Sequence, residues 1–128
     1  MILKLSWKNT FESCVPFCET DSLSDKNVDM LANILMDDGG IPYKETISWL
    51  DHAIKNSGLV ENGEIDSFDW DREAWGAEIT KGGVTLHSLL DETYTQMIRL
   101  DTFISSLKEW EAFLNTHYSS KTTYEVSV

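Results

Sequence analysis

The sequence predicts an α+β fold: a single acidic domain over residues 1–128, with an antiparallel sheet, two helices from the N-terminal half and one C-terminal helix packed on it. Apolar residues recur at helical spacing in three separate stretches. They alternate with polar residues at the start of the chain and again through its middle. No linker or internal repeat interrupts the 128 residues, a length at which one chain buries one core. Strands clustered together, without regular strand and helix alternation, put the helices on one face of the sheet.

In ILKLSW, Leu3, Leu5 and Trp7 share a face opposite Ile2, Lys4 and Ser6, the pattern of a half-buried strand inside the sheet. From Asn9 to Ser24, Pro16 and many polar residues break any sustained period, so loop or a short helical turn is expected there. Val28, Leu31, Ala32 and Leu35 fall on one helical stripe, predicting a helix from Asp25 to about Met36 with Ser24 or Asp25 as its cap and Asp37 to Gly40 as its end. Pro42 suits the first position of a second helix, with Tyr43, Ile47, Leu50 and Ile54 on one face, Gly58 closing it and Leu59 following the left-handed turn.

The period then drops to two. In EIDSFDWD, Phe68 and Trp70 face away from Ser67, Asp69 and Asp71, and in AWGAEIT the inward set is Trp75, Ala77 and Ile79. Lys81, Gly82 and Gly83 turn the chain into VTLHSL, where Val84 and Leu86 alternate with Thr85 and His87, which predicts a hairpin. TYTQMIRL fits a further strand with Ile98 and Leu100 inward. Asp101 or Thr102 caps a last helix that buries Phe103, Leu107, Trp110 and Leu114 and turns Glu109 and Glu111 to water. The tail THYSSKTTYEVSV has no core pattern and frays, unless TTYEVSV adds an edge strand.

Twenty-two acids against ten bases leave a net charge of −12, which repels nucleic acid and anionic membrane and draws in cationic partners. Five tryptophans, five phenylalanines and four tyrosines give this acidic chain a core that disordered acidic chains lack. MILKLSWKNT carries neither a long apolar run nor a small-residue cleavage site, and nowhere do about 18 apolar residues follow one another, so a cytoplasmic protein is expected. Cys14 and Cys18 are expected as two reduced, partly exposed thiols. A zinc site would need further ligands, and His52, His87 and His117 stand singly, so no metal and no cofactor are expected.

A nucleophile elbow, a P-loop, a dinucleotide glycine fingerprint and a zinc-protease helix are all absent. Alternate carboxylates at Asp69, Asp71 and Glu73 could hold a cation or share a proton, but the alternation sets them on the wet face, where carboxylates keep ordinary pKa values. No catalytic residue is therefore expected, and the chain reads as a binding protein rather than an enzyme.

The binding signal is local. ENGEIDSFDWDRE, Glu61 to Glu73, mixes acids with aromatics around the single base Arg72. Charge sets on-rate and excludes wrong partners, whereas aromatic anchors carry binding energy. Glu64, Asp66, Phe68, Asp69, Trp70, Asp71, Glu73 and Trp75 are thus the expected partner-binding residues, with the two tryptophans serving either as exposed anchors or as core.

With this layout, the chain resembles the immunity proteins that bacteria pair with polymorphic toxins, in contact-dependent growth inhibition systems and nuclease bacteriocins. The opening ILKLSW, the stretch FDWDREAWGAEI and the closing LDTFISSLKEWEAFL carry the resemblance, as an arrangement spanning the whole chain. It implies a stoichiometric inhibitor, made beside its toxin, that covers the active site or an adjacent surface of a basic RNase or DNase domain. It transfers no individual contact, since those differ from pair to pair. Two alternatives stand beside it. An anti-restriction or nucleic-acid mimic would spread its carboxylates along an elongated surface at phosphate-like spacing, and a small carboxylate-dependent enzyme would hold a shifted, buried carboxyl in a concave pocket.

Overall fold

The computed structural model describes residues 1–9, 14–116 and 123–128. In chain order these form β1 (Ile2–Asn9), β2 (Cys14–Thr20), α1 (Met30–Met36), a 3₁₀ turn (Tyr43–Thr46) running into α2 (Ile47–Glu61), then β3 (Ser67–Asp71), β4 (Trp75–Thr80), β5 (Gly83–Ser88), β6 (Thr95–Ile98), α3 (Leu100–Leu114) and β7 (Thr123–Ser127). The α+β class holds. Its strands divide between two antiparallel sheets, ordered β2-β1-β7 and β3-β4-β5-β6. The tail explains the division: by pairing as an edge strand it fills the second side of β1, leaving that strand no edge to join the central meander.

Residues 14–20 are a strand where the sequence predicts loop. Pro16 hides it, yet costs it nothing. The amides of Cys18 and Thr20 point away from β1, so the same alternation turns the position lacking a donor at Pro16 to the edge as well. The first helix begins at Met30 rather than Asp25, because Ser24 to Val28 close on themselves as a turn with Asn27 at φ 62°. Its cap is Asp29, whose carboxylate accepts the Ala32 amide at 3.3 Å. The second helix runs through Gly58 and Leu59 and stops at Asn62, and Gly63 (φ 78°) supplies the left-handed turn. The strand expected through Leu100 ends at Ile98, and α3 starts one residue before the expected caps without any side-chain cap.

The common core is drawn from both sheets and all three helices. Leu3, Leu5 and Trp7 of β1, Met30 and Ile34 of α1, Leu50 of α2, Ile79 and Leu86 of the second sheet and Phe103, Leu107 and Trp110 of α3 are all buried. Burial at about 25 cal/mol per Å² makes this shared interior the main stabilising term. Glu109 faces water as expected, but Glu111 does so only in part. One of its carboxyl oxygens is sealed from solvent. Burial first, and then the hydrogen bond and charge of Asp51 on α2, push the Glu111 carboxyl up to about 7. Cys18 is likewise core, 1 % exposed, and burial followed by the charges of Asp29 and Glu19 raises its thiol well above the ordinary value. Only Cys14 is partly exposed, its thiol donating to Asn9 Oδ1 at 2.7 Å. His117 lies outside the described residues. No helix is long and apolar enough to cross a membrane among the described residues.

Candidate partner-binding cleft

β3 is an edge strand of the four-stranded sheet, and α2 runs beside it. Its alternation puts Trp70 inward, where it packs edge-on to Phe103 with ring centroids 6.3 Å apart, and leaves Asp69 and Asp71 exposed on the other face. After Asp71 the chain turns through Arg72 to Ala74, closed by the Arg72 amide donating to the Trp75 carbonyl at 2.8 Å. Asp37, the residue that ends α1, holds this turn. Its Oδ2 accepts the amides of Ala74 at 2.8 Å and Trp75 at 3.2 Å, and its carbonyl accepts from Arg72 Nη2.

Between the turn, β3 and α2 lies a cleft of about 420 Å³. Its walls carry the carboxylates of Asp37, Asp69, Asp71 and Glu73 and the rings of Trp49, His52, Phe68 and Trp70. Arg72 is the single lysine or arginine on its walls among the described residues, and the guanidinium is stacked between two rings, 4.6 Å from Trp49 and 4.7 Å from Trp70. Burial lowers the Arg72 pKa, opposed by Asp37 and then Asp38, and the group remains a cation. Its Nε is buried with no hydrogen-bond partner. His52 meets Phe68 edge-on at 5.4 Å. On the outer face, Asp71 and His87 both lean over Gly76, where a Cβ would come within 2.6 Å of Asp71 Oδ1 and 2.7 Å of His87 Cε1, so a side chain there would push these two aside.

Of the residues expected from sequence, Phe68, Asp69, Asp71 and Glu73 line the cleft, although Glu73 sits in the turn rather than on the strand. Trp70 lines it from beneath as a core residue only 5 % exposed, which corrects its reading as an exposed anchor. Glu64 and Asp66 are exposed on the approach to β3, and Trp75 is half-buried at the start of β4; all three stand outside the cleft walls. Asp37, Trp49, His52 and Arg72 line the cleft too, outside the set expected from sequence. One signal pointed to Trp49: it falls off the apolar stripe of its helix, and a tryptophan there is left at the surface, 38 % exposed.

The arrangement suits binding. Ion pairs among the described residues are confined to Lys4 with Glu125 and Arg99 with Asp101, both remote in sequence from the cleft, so its carboxylates keep their field. No group of three His, Cys, Asp or Glu among the described residues is placed to hold a metal ion. The carboxyl that is raised toward neutrality, Glu111, lies between α2 and α3 rather than on the cleft walls. Fold and cleft together define an α+β domain with an acidic, aromatic-floored groove at a sheet edge. No protein-family model, no curated protein and no solved structure matches the chain.

Proposed function

We propose that this protein works in the cytoplasm as a stoichiometric inhibitor, an immunity protein that neutralises a cognate, positively charged toxin domain, a nuclease, by docking it at the acidic cleft. The observation that carries this reading is the cleft itself, where four carboxylates surround exposed aromatic surface and the only lysine or arginine on the walls among the described residues is already stacked between two tryptophans. A nuclease domain is basic because it holds phosphates, and an acidic protein seated in that field excludes the substrate. The protein contributes no chemistry of its own and needs no cofactor.

The test is co-expression with a toxin domain encoded beside this chain. Cells carrying both are expected to survive, the two proteins to co-purify one to one, and the purified chain alone to show no nuclease or hydrolase turnover with or without divalent metals. Neutralising Asp37, Asp69, Asp71 and Glu73 together should slow association at low salt by about tenfold or more, with the difference shrinking as the screening length falls to about 10 Å near 0.1 M salt. Full protection and unchanged association by that variant, folded, would remove the cleft from the account. Turnover abolished by Asp69→Asn or Asp71→Asn would replace binding with catalysis.

A further inference from the structure

The cleft wall from Phe68 to Glu73 is made of six consecutive residues. A strand that shows a groove its face contributes alternate residues, whereas one that contributes every residue is seen along its edge. The hydrogen-bond pattern gives the same direction. Because the Arg72 amide bonds to the Trp75 carbonyl, the alternation of an antiparallel ladder pairs Trp70 with Ala77 and Phe68 with Ile79 as hydrogen-bonded partners. The amides and carbonyls of Ser67, Asp69 and Asp71 then point outward, and among the described residues no strand pairs with β3 on that side.

We infer that the cleft receives an extended segment of a cationic protein partner, which pairs with β3 as a fifth strand of the β3-β4-β5-β6 sheet. This rests on reading the cleft as a partner site and adds what the partner presents there. The incoming residues opposite Asp69 and Asp71 lie two apart on one face, so both are Lys or Arg. The residue between them turns to the other face, toward Trp49 and His52, and is apolar or aromatic. Charge selects this occupant over a second copy of the chain. Two β3 edges pairing about a two-fold axis at Asp69 would set that carboxylate against itself, on molecules that each carry a net charge of −12.

The probe is an N-acetylated, C-amidated pentapeptide alternating valine and arginine, with arginines at its second and fourth positions, titrated into the ¹⁵N-labelled protein at low salt. Saturable shifts centred on β3 are expected, with exchange of the Asp69 and Asp71 amides slowed about tenfold or more at saturation, as befits newly paired backbone donors. The same peptide N-methylated at alternate amides, or with glutamate in place of arginine, should bind at least about tenfold more weakly. Asp69→Pro removes an outward donor without touching the β4 ladder and should abolish the protection, while slow Phe68 and Trp70 amides report that the sheet is intact. Asp69→Asn keeps the donor and should weaken binding about threefold at low salt and hardly at all at high salt. The inference is overturned if no peptide binds, if the N-methylated peptide binds equally well, if Asp69→Pro binds unchanged, or if the Asp69 and Asp71 amides are already slow in the free protein through self-pairing. Binding of the whole toxin domain that falls on neutralising Asp37 and Glu73 but ignores Asp69→Pro would keep the partner site and discard the added strand.

Discussion

Both sheets end in a strand whose outer amides have to go somewhere, and the molecule treats the two ends differently. At β2 the edge is covered by α1: the Cys18 amide donates to Met36 Sδ at 3.2 Å and the Thr20 amide to Asp29 Oδ2 at 2.7 Å, with the Thr20 hydroxyl on Asp29 Oδ1 at 2.8 Å. At β3 the outer groups open on a cleft rimmed with carboxylates. Edges are a liability that proteins cover or charge. Here one is covered for stability and the other is charged, which bars a second copy while admitting a cation. The difference separates residues that hold the fold from residues left free for a partner.

The largest expected effect lies on the inward side of β3, where Trp70 is buried in the core. Trp70→Ala should lower stability by about 3–5 kcal/mol, as for other large buried aromatics, whereas Trp49→Ala on the cleft surface should lower it by less than about 1 kcal/mol. Equal losses in denaturant unfolding would mean that the cleft floor and the core are one unit. Next come the edges. Asp29→Ala uncaps α1 and uncovers β2 at once and should remove about 2–3 kcal/mol, while Asp69→Ala should stay within about 0.5 kcal/mol. The thiols sharpen the same contrast: Cys18→Ser puts a hydroxyl into the core and should cost about 1–3 kcal/mol, against about 0.5 kcal/mol or less for Cys14→Ser.

The last prediction is a pH dependence away from both edges. The Glu111 carboxyl, raised to about 7 in the folded protein by burial and by Asp51, binds its proton more tightly there than in the unfolded chain. Its contribution is therefore present in full below the ordinary carboxylate range and is lost as pH rises through about 7. Unfolding midpoints measured from pH 5 to 8 should fall with pH in the wild type and fall less in Glu111→Gln. A parallel pair of curves would place the pH dependence elsewhere.

Much of this was legible in the sequence. The alternation in β1 and β5 and the stripe of α3 pick out residues that are buried, and in β3 and β4 it picks out Trp70, Ala77 and Ile79, while Phe68 and Trp75 on the same faces are only half-buried; one face of each element packs on the core and the period survives. β2 escaped because Pro16 reads as a strand breaker until the edge it faces is known, and α1 started late because Asn27 folds its approach into a turn. Within the cleft, Asp69, Asp71 and Phe68 were found by charge and alternation on one strand. Asp37, Trp49 and His52 come from other elements and join them only through tertiary packing; the helical stripe marks Trp49 as a surface tryptophan, but no local pattern brings it to this strand. Trp70 was ambiguous for a physical reason: a strand with one wet face looks alike whether its aromatics meet a core or a partner.

The two edges are told apart most directly by hydrogen exchange at four amides, measured in the free protein and in its complex with the cationic partner domain. The free protein should exchange Asp69 and Asp71 fast and Cys18 and Thr20 slowly, and the partner should slow Asp69 and Asp71 while leaving Cys18 and Thr20 unchanged. Protection appearing away from β3 in the complex, or a β3 edge as slow as the β2 edge before any partner is added, would contradict this reading of the edges.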